Sequence, residues 1–236
     1  MKSSIFIFRT ICTVLFVIIS FNLSAQIQRQ LRSITDFTEL DIEGGFNVHL
    51  LQGDEEKVII ETTIPEVFNT IKTTNNSGTL TVRSTGLDTG GSYKVALYIY
   101  FKNLDAISAR LMSGSIDGYT QLVLERMNLT INGAMMVKFN LTCSDLQLNL
   151  SNIYTCLLQG MVTGNADFTL KDIKTFYTAY LQTESLSINC TEIKKANVWA
   201  NREINVEAYG VGNLHYKGNA IEGSMNVKPP FTVVKD

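Results

Sequence analysis

Proline is almost missing from this sequence: Pro65, Pro229 and Pro230 are the only ones in 236 residues. The long proline-free stretch between them can run unbroken backbone ladders, since each proline would remove a donor, and a pair near the end suits a strand that should pair no further. Cysteine is scarce as well. Cys12, Cys143, Cys156 and Cys190 show no CxxC spacing, which argues against a disulfide framework and a zinc site and leaves small buried hydrophobes as their role. His49 and His215 are the only histidines; neither stands at a metal-ligand spacing, so no metal is expected. GxSxG, HExxH and P-loop patterns are absent, and no cofactor is expected. Basic residues number 20 against 22 acidic ones, a balance that excludes the basic footprint of a nucleic-acid binder.

The first 25 residues differ from the rest. Lys2 and Arg9 are their only charges, "ICTVLFVIISF" from Ile11 to Phe21 is apolar but short for a membrane span, and "NLSA" offers Ala25 as a small residue for cleavage. Residues 1–25 therefore read as a secretory signal peptide, with an uncleaved anchor as the alternative. No cysteine follows the cleavage position, so a lipoprotein signal is not indicated. Residues 26–236 carry 18 basic and 22 acidic residues, a net charge of −4. They contain no other apolar run long enough to span a bilayer, and they are enough for one sizeable domain, soluble or held to a surface by a partner.

What this part has is a repeat. In "INVEAYGVGNLHYKG", residues 204–218, Ile204, Val206 and Ala208 alternate with polar residues. After Gly210 and Gly212 a second alternation runs through Leu214, Tyr216 and Gly218. A phosphate loop would need a helix next, and a strand pattern follows instead. The same phrase recurs upstream: Met127, Leu129, Ile131 with Val137, Phe139, Leu141; Leu146, Leu148, Leu150 with Cys156, Leu158, Gly160; Ala166, Phe168, Leu170 with Phe176, Thr178, Tyr180; Leu186, Ile188, Cys190 with Ala196, Val198, Ala200. Ile107 opens an earlier unit and Met225 a truncated last one, so units start every 18 to 21 residues. Two strands per unit and no helical pattern predict an all-β β-solenoid with ~20-residue coils stacked about 4.8 Å apart around a continuous apolar row. An antiparallel sandwich of hairpins is the alternative.

Residues 26–105 are read as the start and cap, 106–228 as the repeated coils and 229–236 as a tail, all in one domain. Strands are expected through Phe37, Leu40, Ile42, Val48, Leu50, Val58 and Ile60, with turns at Gly44, Gly45 and at Gly53, Asp54. Residues 65–72, "PEVFNTIK", are expected to form a short helix with Pro65 at its first position. "NNSG" at 75–78 and "GLDTGGS" at 86–92 read as loops, and "YKVALYIYF" at 93–101 as a strand.

"ITDFTELDIEGGFNVHLLQGDEEKVIIET" at 34–62, "GTLTVRS" at 78–84 and the glycine pattern from Gly210 to Gly218 resemble the head GIN domain family, DUF2807, the putative auto-transporter adhesins. The resemblance covers roughly residues 31–228. It implies a right-handed parallel β-helix and an exported protein of Bacteroidota-type bacteria, in the periplasm, at the outer-membrane surface or secreted. It also implies an adhesin role, with no catalytic residues to carry over. The family places a glycine-rich turn after each first strand. Here Gly133, Gly210 and Gly212 keep it while Asn152, Asp172 and Glu192 stand at the matching places, and the Glu192 corner is expected to differ in shape.

Two outward faces are candidates for binding a glycan or an envelope or surface protein. One is polar: Asn128, Gln147, Asp167, Ser187 and Asn205 in one column, Thr130, Asn149, Thr169, Asn189 and Glu207 in the next. Its ladders can equally serve only to stabilise the stack. The other carries Tyr177, Trp199, His215 and Lys217, with Tyr209 near the corner. Trp199, between Ala179 and Lys217, is placed to stack on a sugar or anchor a partner, although aromatic residues are also simply good strand formers. Asp167, Lys171 and Glu207 are the nearest approach to the acid set of a polysaccharide-acting enzyme. The reading is a non-catalytic binding protein, with that enzyme or a purely structural envelope role as alternatives.

Overall fold

A computed structural model describes residues 26–84 and 95–236 of the chain. The signal-peptide reading of residues 1–25 and the loop at 86–92 lie outside the described residues. The rest is all-β apart from one short 3-10 helix, Pro65–Thr70, which occupies the predicted helical segment and has proline in its first turn.

The seventeen strands among the described residues belong to a single continuous sheet, closed nearly into a barrel around one core. From residue 106 onward every pairing is parallel: Arg126–Asn132 lies beside residues 145–151, Met136–Cys143 beside residues 155–162, and residues 185–191 beside residues 203–209. Closer to the N-terminus the direction is mixed. Lys57–Thr62 runs antiparallel to both Gln28–Ser33 and Val95–Phe101, and Ile71–Asn76 forms an antiparallel hairpin with Thr79–Ser84. That hairpin is tight because Ser77 and Gly78 both take positive φ, 51° and 86°, the geometry that matches the twist of adjacent antiparallel strands.

The expected right-handed parallel β-helix, the uniform β-solenoid, is therefore corrected to a nearly closed barrel of mixed parallel and antiparallel strands. The physical reason is that alternation of apolar and polar residues is the same for either strand direction; only the connections and partners decide it. The unit boundaries also shift at both ends. Ile107 pairs with Leu129, and Met225 with Val206, a slip of two residues from the expected starts in each case.

The apolar row itself lies where alternation puts it. Met127, Leu129, Ile131, Leu146, Leu148, Leu150, Phe168, Leu170, Ile188, Ile204 and Val206 are all buried in one cluster that extends to Phe37, Phe46 and Phe101. Burying each such side chain stabilises the fold by about 1.5–3 kcal/mol. Cys143, Cys156 and Cys190 sit in this core as free thiols. The corners repeat as well: Ser113, Gly133, Asn152, Asp172, Glu192 and Gly210 take φ values of 63°, 79°, 56°, 54°, 57° and 79°. The Glu192 corner thus keeps the shape of its neighbours, against expectation, and stacking between turns holds it there at a cost of about 1–2 kcal/mol for a side chain in left-handed geometry.

Candidate functional site

One place in the second-strand column breaks the alternation. Tyr177 pairs with Asn197, but Thr183 pairs with Ala200, so six steps along one strand oppose three along the next. The surplus residues bulge outward, and such a bulge re-aims side chains. Tyr180, expected inward beside Phe176 and Thr178, is instead 63% exposed, while Leu181 takes the buried place. Two buried threonines replace the lost ladder bonds: Thr178 Oγ1 donates to the Asn197 carbonyl at 3.1 Å and Thr183 Oγ1 to the Trp199 carbonyl at 2.6 Å.

The bulge gathers aromatic rings. Tyr177 and Tyr180 meet edge to face with centroids 5.8 Å apart. Their hydrogen bond, with some desolvation, holds the Tyr177 phenol above its usual pKa. Trp199 is half-buried, and its Nε1 donates to Asn201 Oδ1 at 2.8 Å. Lys217, the strand partner of Trp199, places Nζ 4.3 Å from the indole centroid and 5.4 Å from that of Tyr180. His215 stands in the Tyr177 column, joined through Asn197, and its Nδ1 lies 2.9 Å from Asp236 Oδ1.

Four of the five expected residues, Tyr177, Trp199, His215 and Lys217, thus share one face. Tyr209 does not join them. Its hydroxyl donates to Glu207 and accepts from Asn226 Nδ2, with Lys228 Nζ 4.7 Å from its ring centroid, all beside the polar ladder.

Next to the aromatic group runs a groove of about 390 Å³. Tyr177 and Tyr180 wall one end and Tyr119, 67% exposed, the other; Gln121, Lys138, Asn140 and Gln159 supply polar groups between them. Tyr119 is backed by His49, whose ring lies edge-on 6.3 Å away and stacks on Tyr98 at 4.8 Å. His49 Nδ1 is 3.0 Å from Asp117 Oδ1 on the neighbouring strand. Sequence reasoning missed Tyr119, Tyr180 and Lys138: the bulge hides Tyr180, Tyr119 lies on a bend after a short strand, and Lys138 is an outward strand residue whose neighbours are set by long-range pairing.

The polar face is a connected ladder. Asn189 Nδ2 donates to Glu207 Oε2 at 3.0 Å, Asn205 Nδ2 to Glu203 Oε1 at 2.8 Å, and the Ser224 amide to Asn205 Oδ1 at 2.7 Å. Asp167 and Glu207 line one depression of about 380 Å³, and Lys171 is not part of it. Two strand spacings and two residues separate the backbones of the two acids, roughly 12 Å. Both Glu207 oxygens are already occupied.

Residues 36–220 match the family described as "Putative auto-transporter adhesin, head GIN domain" (DUF2807). The chain belongs to this family. Three solved structures share its fold. A putative adhesin from Parabacteroides merdae ATCC 43184 aligns with a TM-score of 0.63 at 15% identity, over 90% of this chain and 97% of its own. One from Bacteroides fragilis NCTC 9343 aligns with 0.62 at 14%, over 90% and 98%. A putative lipid binding protein from Parabacteroides distasonis ATCC 8503 aligns with 0.56 at 16%, over 90% and 95%. No curated protein matches the chain. Among the described residues of this head GIN domain protein, no helix is long and apolar enough to cross a membrane, and no group of three or more His, Cys, Asp or Glu is placed to hold a metal ion.

Proposed function

We propose that this head GIN domain protein is an exported, non-catalytic binding protein of the cell envelope or surface that holds a glycan on its aromatic face. The observation that carries the reading is the groove between Tyr119 and the Tyr177–Tyr180 pair, with amide and ammonium groups between the rings and Trp199 beyond them. Sugar rings present an apolar face to stack on such side chains and hydroxyls for the polar groups, and exposed rings anchored in a rigid sheet lose little entropy on binding. Membership of a family described as adhesins supports a binding role. The leader-like composition of residues 1–25 supports export.

The test is a titration of the purified protein with a panel of oligosaccharides, followed by the emission of Trp199, the only tryptophan, with each mixture assayed for cleavage. A saturable shift, lost in Tyr180→Ala with the fold intact by circular dichroism, is the expected result. Product formation, or binding indifferent to Tyr180 and Trp199, would overturn it.

A further inference from the structure

The charge of the groove selects among saccharides. Lys138 is the one charged residue lining it, and no carboxylate lines it. Lys138 is exposed and makes no ion pair among the described residues. The nearest acid along that strand column, Asp117, is engaged by His49. Further along the same face, Lys217 also lacks a carboxylate partner among the described residues; its ammonium rests instead between the rings of Trp199 and Tyr180. This chain is acidic overall and elsewhere pairs Arg83 with Asp41, Arg110 with Glu43 and Arg29 with Glu61. Lysines among the described residues seldom pair with acids, and Lys174 and Lys228 likewise rest on the rings of Tyr154 and Tyr209. What marks this face is that Lys138, whose strand partner Asp117 is held by His49, lies in a groove lined by rings and no carboxylate, with Lys217 farther along.

We infer that the groove takes an acidic oligosaccharide, one whose carboxylates or sulfates meet Lys138 and Lys217 while its sugar faces stack on Tyr119, Tyr180 and Trp199. This rests on the glycan-binding reading of the same face and adds the class of ligand. Four strand spacings and two residues along the strand separate the two lysines, roughly 20 Å. A ligand reaching both must be an oligomer bearing acid groups at more than one position. Its anion draws the Lys217 ammonium off the indole, so the emission of Trp199 reports engagement of that end. Affinity falls as salt rises, because both contacts are exposed charge pairs.

The experiment compares, by calorimetry and Trp199 emission, a galacturonic acid hexasaccharide and a sulfated hexasaccharide with their carboxyl-reduced and desulfated forms. The proteins are the wild type, Lys138→Gln, Lys217→Gln and Tyr180→Ala, each checked for fold by circular dichroism. At least one acidic probe should bind tenfold or more tighter than its neutral form, and each lysine variant should lose about tenfold for that probe and markedly less for the neutral form. Equal binding of acidic and neutral forms, with the lysine variants silent and Tyr180→Ala still impaired, would overturn the charge inference and leave the glycan reading standing. No binding of any probe would overturn both.

Discussion

Gly160 is the place where one methyl group should cost most. It pairs with Leu141 on the neighbouring strand and has φ +119°, a conformation that side chains rarely adopt. A Cβ built there would stand 1.9 Å from the Leu141 carbonyl oxygen, 2.9 Å from its carbon and 3.1 Å from its nitrogen. The obstacle is ladder backbone rather than the tip of a flexible side chain, so the two strands must part. Forcing alanine into this φ costs about 1–3 kcal/mol. Breaking a ladder bond and leaving its carbonyl unsatisfied adds about 1–3 kcal/mol. Gly160→Ala should therefore lower stability by about 2–6 kcal/mol, which at an m value of about 2 kcal/mol/M shifts the urea midpoint down by roughly 1–3 M. The control is Gly53→Ala, where an added Cβ meets nothing within 4 Å, and the change should stay within about 0.5 kcal/mol. Urea unfolding followed by circular dichroism measures both. A Gly160→Ala midpoint indistinguishable from that of Gly53→Ala would refute this account of the ladder.

Glu192→Gly should act in the opposite sense: removing a side chain from φ 57° in the corner column should raise the unfolding free energy by roughly 0.5–1 kcal/mol, read by the same urea titration. The three core thiols should be inert in the native protein. Burial pushes Cys143 up to about 11 and Cys190 up to about 12, and raises Cys156 further, so at pH 8 they should react with a thiol reagent only after denaturation. Stability should fall in alkali through Tyr216, whose buried phenol donates to Glu222 and is pushed up to about 12, by desolvation first and by Glu222 second. Above pH 10 the unfolded chain ionises this group first and binds fewer protons than the native one. The contribution is thus complete below about pH 10 and lost by about pH 12, and Tyr216→Phe should lack that part of the decline in a pH series of melting temperatures.

What could be read from the residues was the part of the fold fixed by alternation. Leu146, Leu148 and Leu150 point inward because successive strand residues face opposite sides, and that holds whichever direction the neighbouring strand runs. The same indifference explains the main error. Nothing in Val58 and Ile60 distinguishes a strand antiparallel to its neighbours from one parallel to them, yet that choice separates a uniform solenoid from the mixed, nearly closed barrel. Pairings such as His49 with Asp117 span 68 residues, and register over such distances is set by how the whole core closes.

The site lies where alternation stops being informative. Tyr177 and Trp199 were legible as outward residues on regular strands. Tyr180 was not, since strict alternation from Phe176 puts it inside, and only the bulge between Tyr177 and Thr183 turns it out. That bulge costs ladder hydrogen bonds, which Thr178 and Thr183 make good from buried positions. A stack selected only for stability would carry regular pairing here, as Leu186 to Thr191 does against Ile204 to Tyr209 on the other face. The irregularity aims one tyrosine at a groove that already holds two others and brings its ring within reach of Lys217. A local departure from the repeat, compensated by buried threonines and converging on exposed rings, is the feature on which the proposal of glycan binding rests.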